Sequence, residues 1–325
     1  MTDRIVVPDD FPIAITGTPA EEKLRTLGEV IIYKGKAESQ QRLIDRIKKA
    51  EAVINIRAYS HFTREVFDAC SKLRIVSIWG TGTDNVDKKA ASDLGITVTN
   101  TPSANALSVA EHTMAILLAL ARQIPVLDRE TRAGNWPRVD MVELNGKLLG
   151  IIGLGAIGKH VARIAKCMGM EVIAWTHRPS PARAQASGIR FVSMEELLKQ
   201  SDVVSLHLGL NDETLGFIKS KDFDQMKTTT FFVNTARAGL IEPNALYEAL
   251  RDKKIAGAAI DAYDAEPLPA DDPLTTLPNV VLTPHNAGMT PESTQIGLMM
   301  AVDNVADFLS GSGINSDYLV VKGNR

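Results

Sequence analysis

Six residues constrain this chain more than any others: Gly153-Leu154-Gly155-Ala156-Ile157-Gly158. They follow the apolar run Leu148-Leu149-Gly150-Ile151-Ile152 and open an amphipathic stretch at 157–168. Between a strand and a helix, a G-x-G-x-x-G pattern gives each glycine a task. The first allows a tight turn, the second lets backbone approach a pyrophosphate, and the third lets the helix pack on the strand. The helix N-terminus then offers amides and a positive dipole end to the phosphates. The pattern points to a bound dinucleotide and a doubly wound parallel sheet.

The surrounding rhythm agrees. Strand-like runs fall at 148–152, 171–175, 190–192, 203–208, 230–233, 257–260 and 280–283, with helix-like stretches at 157–168, 194–199, 221–226 and 243–251. Such alternation implies crossover connections and a sheet covered on both faces. The first hundred residues repeat it, with strands at 52–56, 75–79 and 97–99 and helices at 38–49 and 63–69. At 325 residues the chain has room for two domains. Asn100-Thr101-Pro102 is a boundary, because the residue before proline avoids helical geometry. Ser103 or Asn105 could cap a long helix running to Arg122. A last helix, at 291–309, is placed back on the first domain by topology.

Composition removes other classes. Hydrophobic residues make up 45% and charged residues 23%, a globular mix. Thirty-six basic against 39 acidic residues give a net charge of -3, so nothing calls for a nucleic-acid partner. The strongest apolar run, 114–121, is far shorter than the ~20 residues a membrane span needs. Pro8, Asp9, Asp10 and Pro12 break up the N-terminus, and a cytoplasmic location is expected. Cys70 and Cys167 read as two reduced core thiols, and no His/Cys cluster has metal-ligand spacing. His112 and His160 read as packing or surface residues, His61 as exposed, and Asp84 and Asp87 as loop and helix caps.

A dinucleotide fold usually carries an acid about 20 residues beyond the glycines, to bind the ribose hydroxyls. Here Thr176, His177 and Arg178 follow the second strand instead. A hydroxyl and a cation suit a 2′-phosphate, which favours NADP(H) over NAD(H). Three polar residues lie just past later strand ends: Arg237, Glu266 and His285. An arginine fork binds a carboxylate in two places. A histidine can move a hydroxyl proton near neutral pH. A hydrogen-bonded glutamate would fix its tautomer. Spacing alone leaves each with a bland reading as a loop residue.

The chain resembles the D-isomer-specific 2-hydroxyacid dehydrogenase family over about residues 55–309. The carrying motifs are Gly80-Thr81-Gly82-Thr83-Asp84-Asn85-Val86-Asp87, Asn100-Thr101-Pro102 with Val109-Ala110-Glu111, and the glycine loop. Met194-Glu195-Glu196-Leu197-Leu198, Ser201-Asp202-Val203-Val204-Ser205-Leu206-His207, Asn234-Thr235-Ala236-Arg237-Ala238-Gly239, Ala265-Glu266-Pro267-Leu268-Pro269 and Thr283-Pro284-His285 follow. The resemblance implies two Rossmann-like domains. An NAD(P)-binding doubly wound sheet, 103–288, would be inserted into a flavodoxin-like substrate domain, 1–102 plus 289–325. It implies hydride transfer between NAD(P)H and a small 2-oxo acid, giving the D-2-hydroxy acid. His285 would be the general acid/base, Glu266 would orient it, and Arg237 would hold the substrate carboxylate. Cofactor contacts would come from Gly153, Gly155, Ala156, Ile157 and Gly158, from Thr176, His177 and Arg178, and from His207, Leu208 and Thr214. Thr235, Ala236, Asp261 and His285 would surround the nicotinamide, and Gly288 would also bind the cofactor. The backbone amides of Trp79, Gly80, Thr81 and Gly82 would meet the substrate. A homodimer with an arm near residues 132–137 is also implied, with neither nucleic acid nor membrane as partner.

The chain departs from the commoner family pattern in four places. Thr176-His177-Arg178 replaces the ribose-binding acid, Ala156 a frequent arginine, Ile78-Trp79 an arginine-and-small pair, and Leu208-Gly209 a residue-proline step. Two other readings stay open at this point: a cofactor-sensing corepressor on the same scaffold, and an enzyme for another substrate such as phosphite. Formate is disfavoured, since formate enzymes typically carry glutamine where Glu266 stands.

Overall fold

Strands buried at every position need cover on both faces, and Ala52–Asn55, Ile75–Ile78, Val203–Leu206, Phe231–Asn234 and Gly257–Ile260 are of this kind. That requirement selects parallel sheets with helical crossovers. A computed structural model describes residues 3–325 and divides into two units, Met1–Asn105 with Met289–Arg325, and Ala106–Gly288.

The first unit begins with β1 (Arg4–Val7), α1 (Pro19–Arg25), β2 (Glu29–Ile32), α2 (Gln40–Ile47), β3 (Ala52–Asn55), α3 (Arg64–Asp68), β4 (Ile75–Ile78), α4 (Lys88–Asp93) and β5 (Thr97–Thr99). The second unit runs through α5 (Ala106–Ala121), α6 (Ile124–Arg132), β6 (Leu148–Ile152), α7 (Ala156–Cys167), β7 (Glu171–Trp175), α8 (Pro181–Ser187), β8 (Arg190–Phe191) and α9 (Met194–Gln200). It ends with β9 (Val203–Leu206), α10 (Ser220–Phe223), β10 (Phe231–Asn234), α11 (Ala245–Arg251), β11 (Gly257–Ile260) and β12 (Val280–Leu282). The chain then returns to the first unit as α12 (Pro291–Ser310) and β13 (Leu319–Val321).

The first sheet has the order β13-β5-β4-β3-β1-β2, parallel except for β13. The second is parallel throughout, in the order β12-β11-β10-β9-β6-β7-β8. Its order reverses between β6 and β9, and ligands of doubly wound sheets bind beyond the strand ends at such a switch. The glycine loop leaves β6 at that point. Apolar side chains fill both faces of the second sheet, with Leu149, Ile151, Val161 and Val233 in one layer and Ile152, Val204, Phe223 and Phe232 in the other. α5 buries Val109, Ala110, Thr113, Met114, Ile116, Leu117 and Leu120, as a helix apolar nearly all round should.

Helix starts follow local chemistry. Ser39, Asp87, Ser180, Ser193 and Thr290 each accept a hydrogen bond from an amide in the first turn, the N-cap role of short oxygen-bearing side chains. Several boundaries differ from the sequence expectation. The helix expected at 221–226 is only Ser220–Phe223, and the one at 243–251 starts at Ala245, after Asn244 at φ +66°. The long helix stops at Ala121 and a second, α6, begins after Gln123, which has φ +50°. β1, β2, α1, α8 and β13 were not anticipated. Each is short, and β13 pairs antiparallel with β5 outside the αβ alternation. Both cysteines are thiols, but only Cys70 is a core residue; Cys167, at the end of α7, is exposed. No helix among the described residues is long and apolar enough to cross a membrane.

Candidate active site

The glycine loop is built to leave its amides accessible. Gly153 has φ +100°, and a side-chain carbon there would lie 2.5 Å from the carbonyl oxygen of His207. A carbon on Gly158 would strike the Gly153 carbonyl. Both positions therefore demand glycine for packing. Gly155 differs, since open space lies where its side chain would be. It is the N-cap of α7 with no side-chain cap, and Gly155 and Ala156 are exposed. A twelve-residue helix thus presents uncapped amides beside a cradle, which fits a pyrophosphate.

On the adenosine side, His177 and Arg178 are exposed beyond β7, with Thr176 half-buried. Arg183, on α8, donates to Thr176 Oγ1 (3.3 Å), to the Arg178 carbonyl and to Leu154 O (3.4 Å). One guanidinium therefore joins this loop to the glycine loop, a link the sequence reading missed. Trp175 packs edge-on against His177, with centroids 4.7 Å apart. His207 Nε2 pairs with Ser205 Oγ at 2.8 Å, and burial pushes its pKa down to about 4, so the ring is neutral. Thr214 is buried, and its hydroxyl is occupied by Gly209 O and Asn211 within the following turn. Leu208 packs on the core below.

The chemistry-bearing groups stand past the ends of β10, β11 and β12. His285 Nδ1 lies 2.8 Å from both oxygens of Glu266, so the carboxylate holds that nitrogen and Nε2 is left to exchange a proton. The Tyr263 amide donates to Glu266 Oε1 at 3.1 Å and steadies it. His285 sits at φ +51°, an unusual conformation for a residue with a side chain and a common sign of a functional turn. Asp261, 1% exposed, explains how the turn is held. It accepts from Thr283 Oγ1 (2.6 Å), Ala287 N (2.9 Å) and Asn286 N (3.2 Å), with His112 Nε2 at 3.5 Å. Burial works to raise this carboxyl, but the hydrogen bonds from His112, Thr283, Ala287 and Asn286 prevail and hold it below the usual carboxylate range.

Asn234, at the end of β10, braces the arginine loop. Its Nδ2 donates to Arg237 O (3.0 Å) and its Oδ1 accepts from Ala236 N (2.9 Å). Thr235 Oγ1 pairs with Thr113 Oγ1 at 2.8 Å. Arg237 Nη1 donates to Ala236 O at 2.8 Å. Gly288 closes the unit. A cavity of about 520 Å³ opens beside His285, Glu266 and Thr283. No group of three His, Cys, Asp or Glu among the described residues is arranged to hold a metal.

In the first unit, the loop after β4 is more engaged than expected. The Trp79 amide donates to Asn55 O (2.9 Å) and the Gly80 amide to Thr101 Oγ1 (2.7 Å). Thr101 N returns a bond to Gly80 O, and Asn100 Nδ2 donates to Thr81 O. This pinning corrects the expectation of four available amides: Thr81 and Gly82 remain. Arg57 was not anticipated. Its guanidinium is buried, stands 5.9 Å from the Trp79 ring centre, and donates to the carbonyls of Phe11 and Pro12. Beside it, Asn55 Nδ2 is buried without a partner.

Comparison with known proteins adds to this geometry. Residues 114–287 match the model of the D-isomer specific 2-hydroxyacid dehydrogenase NAD binding domain. The chain is 41% identical over 270 residues to D-3-phosphoglycerate dehydrogenase of Archaeoglobus fulgidus, covering 82% of this chain and 51% of that protein. It spans about half the length of the D-3-phosphoglycerate dehydrogenases it matches. It is 38% identical to glyoxylate reductase of Korarchaeum cryptofilum, covering 87% of each. Among solved structures, an acyclic imino acid reductase in complex with NADPH and D-Arg superposes with a TM-score of 0.86 at 29% identity, covering 98% of this chain and 100% of that one. The chain belongs to the D-isomer specific 2-hydroxyacid dehydrogenase family.

Proposed function

We propose that the protein is an NAD(P)-dependent oxidoreductase that interconverts a small 2-oxo acid and its D-2-hydroxy acid. The observation that carries this reading is His285 held through Nδ1 by Glu266 at the strand ends of a dinucleotide-type sheet. The bound cofactor would supply or accept the hydride. In reduction, His285 Nε2 gives its proton to the oxygen of the reacting carbonyl, and in oxidation it takes that proton back. Glu266 keeps the ring oriented and offsets its positive charge. Arg237 binds the substrate carboxylate and stabilises charge developing on the oxygen. Gly155, Ala156 and Ile157 hold the pyrophosphate.

The cofactor is NADP(H) in preference to NAD(H). No acid follows β7, and Thr176, Arg178 and Arg183 supply a hydroxyl and two cations there. The test is initial rates at 340 nm with NADPH or NADH against glyoxylate, hydroxypyruvate and phenylpyruvate. A preference for NADPH of at least about tenfold, abolished in Arg178→Ala, is expected. A preference for NADH would overturn the assignment, and no turnover with any of these acids would oppose the dehydrogenase reading.

A homodimer is the proposed assembly. α6 buries nothing within its own chain, Ile124 is 54% and Trp136 79% exposed, and Val139, Met141 and Val142 are exposed nearby. Exposed apolar side chains gathered along one stretch of chain suit an interface. Light scattering after gel filtration should give twice the 35.2 kDa chain mass, and Trp136→Glu should shift it toward the monomer. A monomeric parent protein would refute the dimer.

A further inference from the structure

Two consecutive residues of α5 reach the two strand ends that carry the candidate chemistry. Thr113 pairs with Thr235, two residues before Arg237. His112 Nε2 lies 3.0 Å from Thr283 Oγ1, two residues before His285. The protons in this second contact can be assigned. Thr283 has one hydroxyl hydrogen, and its oxygen stands 2.6 Å from Asp261 Oδ1 but 3.4 Å from Ile260 O. The short contact to a carboxylate takes that hydrogen. The Thr283 oxygen is then an acceptor toward His112, so Nε2 carries a proton. A bare Nε2 would face two acceptors, the threonine oxygen and the Asp261 carboxylate 3.5 Å away. Asp261 in turn receives the amides of Asn286 and Ala287, directly after His285. The left-handed turn at His285 is thus gripped before and after the ring, and His112 closes the grip.

We propose that His112 is a positioning residue for His285: its Nε2–H, given to Thr283 Oγ1, completes the Thr283–Asp261 network that holds the turn carrying the acid/base. The proposal rests on the reading of His285 as that acid/base. It replaces the expectation that His112 is a packing or surface residue.

The test compares His112→Ala with His112→Gln, whose side-chain amide can supply the lost N–H. Two readouts are taken: kcat and KM for the 2-oxo acid, and the ring signals of His285 in isotope-labelled protein without substrate, assigned by their loss in His285→Ala. In His112→Ala, kcat should fall about tenfold with KM within about twofold, and the His285 signals should move. His112→Gln should recover kcat to within about threefold and return the signals. Equal kcat in the two variants, or His285 signals unmoved in His112→Ala, would overturn the proposal. Thr283→Val against Thr283→Ser repeats the comparison from the other side should His112→Ala fail to fold. Absence of turnover in the parent protein would count against the functional reading alone, and the spectra would still decide the positioning role.

Discussion

Replacing His285 by alanine should lower kcat by about 10³-fold or more, and Arg237→Ala should do the same, while the dissociation constants for NADPH and NADH stay within about threefold of the parent values. The magnitude follows from the 10²–10⁴-fold that a positioned acid contributes and from the charge stabilisation an arginine adds. Cofactor affinity is spared because the pyrophosphate is assigned to the Gly155–Ile157 segment after β6, two strands along the sheet from β10, which precedes Arg237, and four from β12, which precedes His285. Glu266→Gln should be milder, since an amide still reaches Nδ1 but no longer offsets the ring's charge. Steady-state rates with fluorescence titration of the cofactor measure both quantities. Normal turnover in His285→Ala would remove the acid/base assignment. Lost cofactor binding together with lost turnover would mean that the loop, rather than the proton transfer, had been damaged.

What the sequence revealed depended on how local each feature is. The glycine loop is six consecutive residues with a strand before it and a helix after it, so its type and place could be read directly. Asp87 as a helix cap was equally legible, because an N-cap and its amide at Ala90 are three residues apart. The grip on His285 was not legible. His112, Asp261 and Thr283 come from α5, the end of β11 and the end of β12, and only the folded sheet joins them. Arg57 was missed for a similar reason: its place beside Trp79 depends on β3 and β4 pairing in register. The engaged amide of Gly80 needed Thr101, 21 residues away, to be seen. The motif around Arg237 was read for its charge, while Asn234, which shapes that loop through two backbone bonds, carried no signal of its own.

Gly153 and Gly155 stand two residues apart in one motif, yet alanine should affect them differently. At Gly153 the backbone has φ +100°, which a side chain resists, and the added carbon would meet His207 O at 2.5 Å. β6 and β9 are hydrogen-bonded neighbours, so relief would require parting the two strands at the switch point. A cost of about 2–4 kcal/mol is expected for such strain with overpacking, lowering the midpoint of thermal unfolding by roughly 5–10 °C. Cofactor affinity should fall at least tenfold with it. At Gly155 the space is open and φ is −86°, so Gly155→Ala should leave the melting temperature within about 1 °C. Its methyl group would instead occupy the cradle, and cofactor affinity should still fall, by about tenfold. Calorimetry and cofactor titration on both variants make the check. Loss of binding without loss of stability at Gly155 is the informative result, because it separates a glycine needed by the ligand from one needed by the sheet. If Gly155→Ala bound cofactor as tightly as the parent protein, the pyrophosphate would have to lie elsewhere, and the dinucleotide assignment of this loop would fall with it.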